Sequence, residues 1–191
     1  MKFFESGRFA RYTLWAVVLL FATRTTAETL FPKHVQYETE VKQDSAAKAC
    51  NLILLLINLP APEVVNLKLM ATRERKSSAA FFGLSFDVGD LTFANGLPSR
   101  TTKAFLSQAS FDSPNFSSVG RLNGGPIDDG GVLLSTSDLN TGGLLFTSFL
   151  SGQFSISFVR KGSSNIRTYV ISQAPPSDLR NQFRTCLETL Q

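Results

Sequence analysis

Between residues 34 and 42 the chain alternates, with Val35, Tyr37, Thr39 and Val41 interleaved by His34, Gln36, Glu38, Glu40 and Lys42. A period of two with a polar partner phase predicts a strand wet on one face. The alternation returns at Val65, Leu67, Leu69 and Ala71, opposite Asn66, Lys68, Met70 and Thr72. It returns again at Phe82, Leu84, Phe86 and Val88, opposite Phe81, Gly83, Ser85 and Asp87. Each predicts a further strand with an apolar inner side. Residues 50–59 (CNLILLLINL) are apolar on both phases and stop at Pro60-Ala61-Pro62. That length and proline stop predict a strand buried on both faces, and a short buried helix fits nearly as well.

After a charged turn at residues 73–76 and the strand through Val88, the pattern loosens. Residues 91–131 are rich in Ser, Gly, Asn and Pro, with a short strand at Leu91 and Phe93 leading into an Asn95-Gly96 turn. Strand character resumes at residues 132–135, and residues 144–150 (LLFTSFL) fit a helical turn or a strand. Phe154, Ile156 and Phe158 alternate with Ser155 and Ser157, and a Gly-Ser-Ser-Asn turn leads into residues 167–172, a hairpin. Past Pro175-Pro176 the period changes. Ser177 or Asp178 can cap a helix whose stripe is Leu179, Phe183, Cys186, Leu187 and Leu190. The predicted fold is mainly β: a single β-sandwich or partly closed barrel with one C-terminal amphipathic helix packed on it.

The N-terminus changes how composition is read. Lys2, Arg8 and Arg11 precede the apolar run LWAVVLLFA (residues 14–22), and Thr25-Thr26-Ala27 places small residues after it. This is the layout of a secretory signal, and the run is far short of the roughly 20 residues of a spanning helix. Residues 1–27 are therefore expected to be cleaved, leaving residues 28–191 as one β-rich domain, periplasmic or secreted, that meets the membrane only through its signal. The whole chain has 19 Lys+Arg against 15 Asp+Glu. Lys2, Arg8, Arg11 and Arg24 leave with Glu5, so the mature balance is 15 to 14. A near-neutral body has no broad field for phosphates, so nucleic acid is not an expected partner. Trp15 leaves with the signal as well, and 13 Phe against two Tyr read as core filling.

Cys50 and Cys186 are the two cysteines, and both survive cleavage. In an oxidising compartment they make one disulfide, the alternative being two separate buried thiols. With a single histidine, a four-ligand zinc site is not expected, and no metal or cofactor is assigned. His34 lies close to the mature start, and no Gly-x-Ser-x-Gly elbow supports a serine nucleophile, so no catalytic residue is assigned. Asp87 and Asp90 in FDVGD fit a turn better than a pair dividing acid and base work. Residues 123–131 (NGGPIDDGG) form the sharpest local feature. A tight hairpin connection accounts for it, while Asn123, Asp128 and Asp129 are its candidate contact residues and Asp128 and Asp129 suit a Ca²⁺ in the alternative reading. Asn115-Phe116-Ser117 matches a glycosylation acceptor.

The function expected is a non-enzymatic exported domain that contacts another protein or an envelope component through its loops, residues 95–100 and 123–131 foremost. The alternative is a carrier or sensor of a small apolar ligand in a Phe/Leu-lined cavity. An exported hydrolase built on Asp87, Asp90, Asp128 or Asp129 ranks third.

Overall fold

The computed structural model describes residues 27–43, 47–74, 80–94 and 97–190. Of the expected signal only Ala27 falls among these; the Asn95-Gly96 turn and part of the turn at 73–76 also lie outside the described residues. In chain order the elements are β1 (Ala27–Leu30), β2 (His34–Gln43), β3 (Ala47–Asn58), β4 (Glu63–Glu74), β5 (Ala80–Ala94), β6 (Leu97–Ala104) and β7 (Leu106–Ser113). Then come β8 (Phe116–Ser117), β9 (Asn123–Pro126), β10 (Val132–Thr136), α1 (Leu139–Ser151), β11 (Phe154–Arg160), β12 (Ile166–Ile171) and α2 (Ser177–Glu188).

Two sheets face each other. The larger runs β2-β3-β4-β5-β10-β9, with β6 also on β5, and the smaller runs β1-β12-β11-β7-β8. Pairing is antiparallel except between β1 and β12. The sheets do not close into a barrel, so of the two expected architectures the sandwich is the one formed. Strand β5 organises one side. Along one edge it pairs first with β10, up to Phe86, and then with β6 from Val88. Its pairing to β4 stops at Asp90, so the far end of the β5–β6 hairpin extends past the sheet.

The interior follows from strand phase. Cys50, Leu52, Leu54 and Leu56 of β3, Val65, Leu67 and Leu69 of β4, and Leu84 and Phe86 of β5 are all buried on the inner face, covered by the smaller sheet and the two helices. That sheet contributes Phe111, Phe154, Ile156, Phe158, Tyr169 and Ile171. The Phe111 and Phe154 ring centroids are 4.8 Å apart, and Phe149 of α1 lies 5.1 Å from Phe154. Each fully buried side chain of this size is worth about 1.5–3 kcal/mol of removal from water.

Several local expectations change. Residues 50–59 do form a strand, but with one buried face, since Ile53, Leu55 and Ile57 remain half-exposed on the outer side. Leucine and isoleucine on both phases hid the alternation. Residues 91–131, expected to be loose, build the end of β5 and all of β6 to β9. Thr92, Thr101 and Thr102 are exposed there and Ser107, Ser110, Ser113 and Ser117 only partly buried, positions where strands accept such residues. Residues 144–150 are helical and belong to α1, which starts earlier than its apolar run. Asp138 caps it by accepting from the Thr141 amide at 2.8 Å, and Gly152, at φ 69°, ends it. In α2 the cap position is Pro176, with Ser177 and Asp178 already inside the first turn and no side-chain cap bond. Its expected stripe is the packed one: Phe183 and Cys186 are buried, with Leu179, Leu187 and Leu190 partly so. Cys186 is joined to Cys50 with 5.8 Å between Cα atoms, as the paired-cysteine reading expected.

Candidate functional site

One end of the sandwich gathers four of the connections between strands. The β3–β4 turn at Pro60-Ala61-Pro62, the β5–β6 hairpin, the β9–β10 loop and the β11–β12 turn lie there together. Backbone bonds tie them: the Leu91 amide donates to the Pro62 carbonyl at 2.7 Å, Leu106 to Gly130 at 2.8 Å, and Lys161 to Phe105 at 2.7 Å. Gly130 has φ 95°, and a Cβ there would stand 2.9 Å from the Phe105 ring, so glycine lets that ring lie flat over the loop. Phe93, Phe105, Leu59 and Ile127 are large apolar side chains exposed at this end, Phe105 by 55% and Phe93 by 43%.

Beneath these loops the core ends in charge rather than in Leu and Phe. Glu63 stands first in β4 on the inner phase that continues through Val65 and Leu67, and is only 1% exposed. Its carboxylate accepts from the Arg160 guanidinium, from Arg167 Nη1 at 3.1 Å and from the Tyr169 hydroxyl at 2.7 Å. Asn58 Nδ2 donates to the same hydroxyl at 3.3 Å. Asp90, directly across the ladder from Glu63, takes Arg160 Nη1 at 2.9 Å in a two-pronged pair. Arg167 also approaches Glu28 of β1 at 3.7 Å. Two carboxylates and two guanidiniums from four strands thus clasp the two sheets together. Hydrogen bonding from Arg160 holds the Asp90 carboxyl below the usual range. Burial, reinforced by the bond to Glu63, pushes the Tyr169 hydroxyl up.

The two aspartates of FDVGD do not meet. Three residues apart on a strand, they emerge on opposite faces: Asp90 inward to Arg160, Asp87 outward to Lys103. Lys103 Nζ lies 3.0 Å from Asp87 and 3.2 Å from Asp129, so an ammonium joins two of the sequence-predicted acids. Bonding to Asp87 raises the Lys103 ammonium. The Gly131 amide, donating at 3.1 Å, and then Lys103 lower the Asp129 carboxyl. Residues 123–126 form β9 and residues 127–131 its hairpin connection to β10, closed by the Ile127 amide on Gly131 at 3.0 Å. Asp128 is exposed there, and Asn123 is exposed at the start of β9, opposite Ser135. Among the described residues no group of three or more acids, His or Cys is arranged to hold a metal ion. Of residues 95–100, 97–100 belong to β6. His34 is exposed at the start of β2, and Asn115 is exposed in the β7–β8 turn.

The clasp was not anticipated from sequence, although a signal existed. Glu63, Arg160 and Arg167 each continue the buried phase of their strand past its last apolar residue. A charge on an inner phase has to find an opposite charge, and that alone nominates them. Away from the loops, an open cleft of about 710 Å³ separates β9 and β10 from β7 and β11. Its walls are uncharged, with Val132, Leu134, Phe158 and Ile166 among them and Ser107 and Ser157 as polar points. Comparison of the chain with protein-family models, curated proteins and solved structures finds no match.

Proposed function

We propose that this chain is an exported, non-enzymatic β-sandwich that holds another protein, soluble or of the envelope, at its loop end. One observation carries the reading. The projecting β5–β6 hairpin, the β6–β7 link and the β9–β10 loop present Phe93, Phe105 and Ile127 respectively at the same end as a four-strand ionic clasp. Exposed apolar side chains on loops held by a rigid scaffold are the anatomy of a contact surface. Export is supported by the secretory layout of residues 1–27 and by the disulfide. In addition, no helix among the described residues is long and apolar enough to cross a membrane. The non-catalytic part is supported by the commitments of the acids: Glu63 and Asp90 to arginines, Asp87 and Asp129 to Lys103.

The test is site-specific photo-crosslinking in the exporting host, with the probe at Phe93, at Phe105 and, as a control, at Leu139 beyond the far end of β10. The expected result is one adduct shared by the two loop positions and absent from Leu139. No adduct from the loops, or an equal one from Leu139, overturns the reading. The uncharged cleft favours the carrier as second reading. Native mass spectrometry after gentle purification separates the two: a reproducible small-molecule adduct supports the carrier, and a bare polypeptide mass the contact domain.

A further inference from the structure

The strands that end each sheet are unequal. Strands β1 and β9 have four residues, β9 finishing in Pro126, and β8 has two. Strand β6 has eight, includes Pro98, and meets β5 with a register shift at Thr92/Phe93. Short length, proline and bulges are the usual guards against pairing with another chain. Strand β2 has none of these three; its guard is charge, in Glu38, Glu40 and Lys42. It is ten residues long, lacks Pro and Gly, and pairs with β3 in unbroken register from His34↔Ile57 to Gln43↔Lys48. Its other edge has no partner strand among the described residues.

We propose that β2 pairs antiparallel with β2 of a second copy of this chain, about a two-fold axis at Glu40, so that Glu38 of each copy faces Lys42 of the other. A two-fold perpendicular to the sheet keeps outward residues opposite outward residues, which restricts the registers to those centred on a residue. Centring on Thr39 sets Glu38 against Glu40 twice, and centring on Glu38 sets that residue against itself with no ion pair in return. Centring on Val41 gains two Glu40–Lys42 pairs but overlaps only residues 39–43 of each β2, a shorter ladder than the 37–43 of the Glu40 register. The Glu40 register gains two opposite-charge pairs for one like-charge contact. That contact is moderated because Glu40 has its own cations, Lys42 at 3.3 Å and Lys68 at 3.7 Å. On the other face the same register sets Val41, now 58% exposed, against Thr39 of the second copy. A groove of about 550 Å³ runs along this edge between β2 and α2, lined in part by Thr39, Val41, Gln182 and Thr185, and the added strand would cover it. This inference rests on the β2 edge and is independent of the loop-end reading.

The experiment is sedimentation equilibrium of the purified protein and its charge-reversed variants over a wide concentration range. Wild type is expected to dimerise. Glu38→Lys and Lys42→Glu should each weaken the dimer about tenfold or more, because two attractive cross-strand pairs become repulsive. The double variant should recover, and so should an equimolar mixture of the two single variants, whose charges are complementary only across the interface. Both side chains are exposed, so circular-dichroism spectra should match wild type, and recovery on mixing itself shows that each single variant is folded. A monomer at every concentration overturns the proposal. So does a dimer that ignores the charge reversals, or one that both reversals weaken and mixing does not restore.

Discussion

Reducing the disulfide is the perturbation whose cost follows most directly from this fold. Cys50 and Cys186 are 136 residues apart in sequence, so the bond closes most of the described chain into one ring. For a ring of that size the loss of closure entropy in the unfolded chain is about 17 cal/mol/K, or about 5 kcal/mol at room temperature. Whole domains are stable by only about 5–15 kcal/mol, so the reduced protein should keep at most about two-thirds of its stability. The folded state offers little to offset the loss, because α2 buries only Phe183 besides Cys186. The remaining ties of α2 and the tail after it are the partly buried Leu179, Leu187 and Leu190 and exposed or partly buried polar bonds such as Thr39 to Gln182, Lys48 to Thr189 and Arg73 to the Leu190 carbonyl. The assay is urea unfolding with and without reductant, the two forms differing by two hydrogens and not in side-chain volume. The midpoint should fall and the slope should rise, since the unclosed chain is more expanded when unfolded. Amides of α2 should lose exchange protection ahead of those in β3 and β4. A stability change below about 1 kcal/mol would refute the entropy argument for this ring.

Two further outcomes test the clasp. Glu63→Gln keeps the shape of the buried side chain but removes the charge between Arg160 and Arg167, and should cost about 3 kcal/mol in the same unfolding assay; a cost under about 1 kcal/mol would mean the guanidiniums are satisfied without it. Because Arg160 lowers the Asp90 carboxyl in the folded state, that stabilisation is complete above the unfolded aspartate value near 4 and is lost as pH falls through the lower folded value. Wild type should therefore exceed Asp90→Asn in stability at neutral pH and converge with it on acidification, whereas parallel curves would sever the link between Asp90 and Arg160.

How far the site was legible depended on which signal was followed. Asp87 and Asp90 drew notice by adjacency, yet adjacency on a strand sends side chains to opposite faces, and the two ended in different clusters. Glu63, Arg160 and Arg167 drew none, because each stands at or near a strand end with no opposite charge beside it in sequence. Their partners are 70 to 104 residues away, separations set by which strands become neighbours. The glycine-rich run at 123–131 was legible as a hairpin connection, since its backbone demands are local. The contact of Asp129 with Lys103 was not, because it depends on β10 and β6 lying end to end on one edge of β5.

By itself the amino-acid sequence determined the mainly β class of fold, the phase of β2, β4, β5 and β11 and the amphipathic terminal helix, and it pointed to the pairing of its two cysteines. These follow from short-range periodicity and from simple counting: a period of two or of 3.6 is written in neighbouring residues, and two cysteines admit one intramolecular pairing. Only the tertiary structure decided that the sandwich stays open, that the apolar run in β3 keeps one face half-exposed, and that four charges meet at the end of the core. Those outcomes depend on strand order and register, which arise from the packing of distant segments against one another, and no local stretch of the chain encodes them.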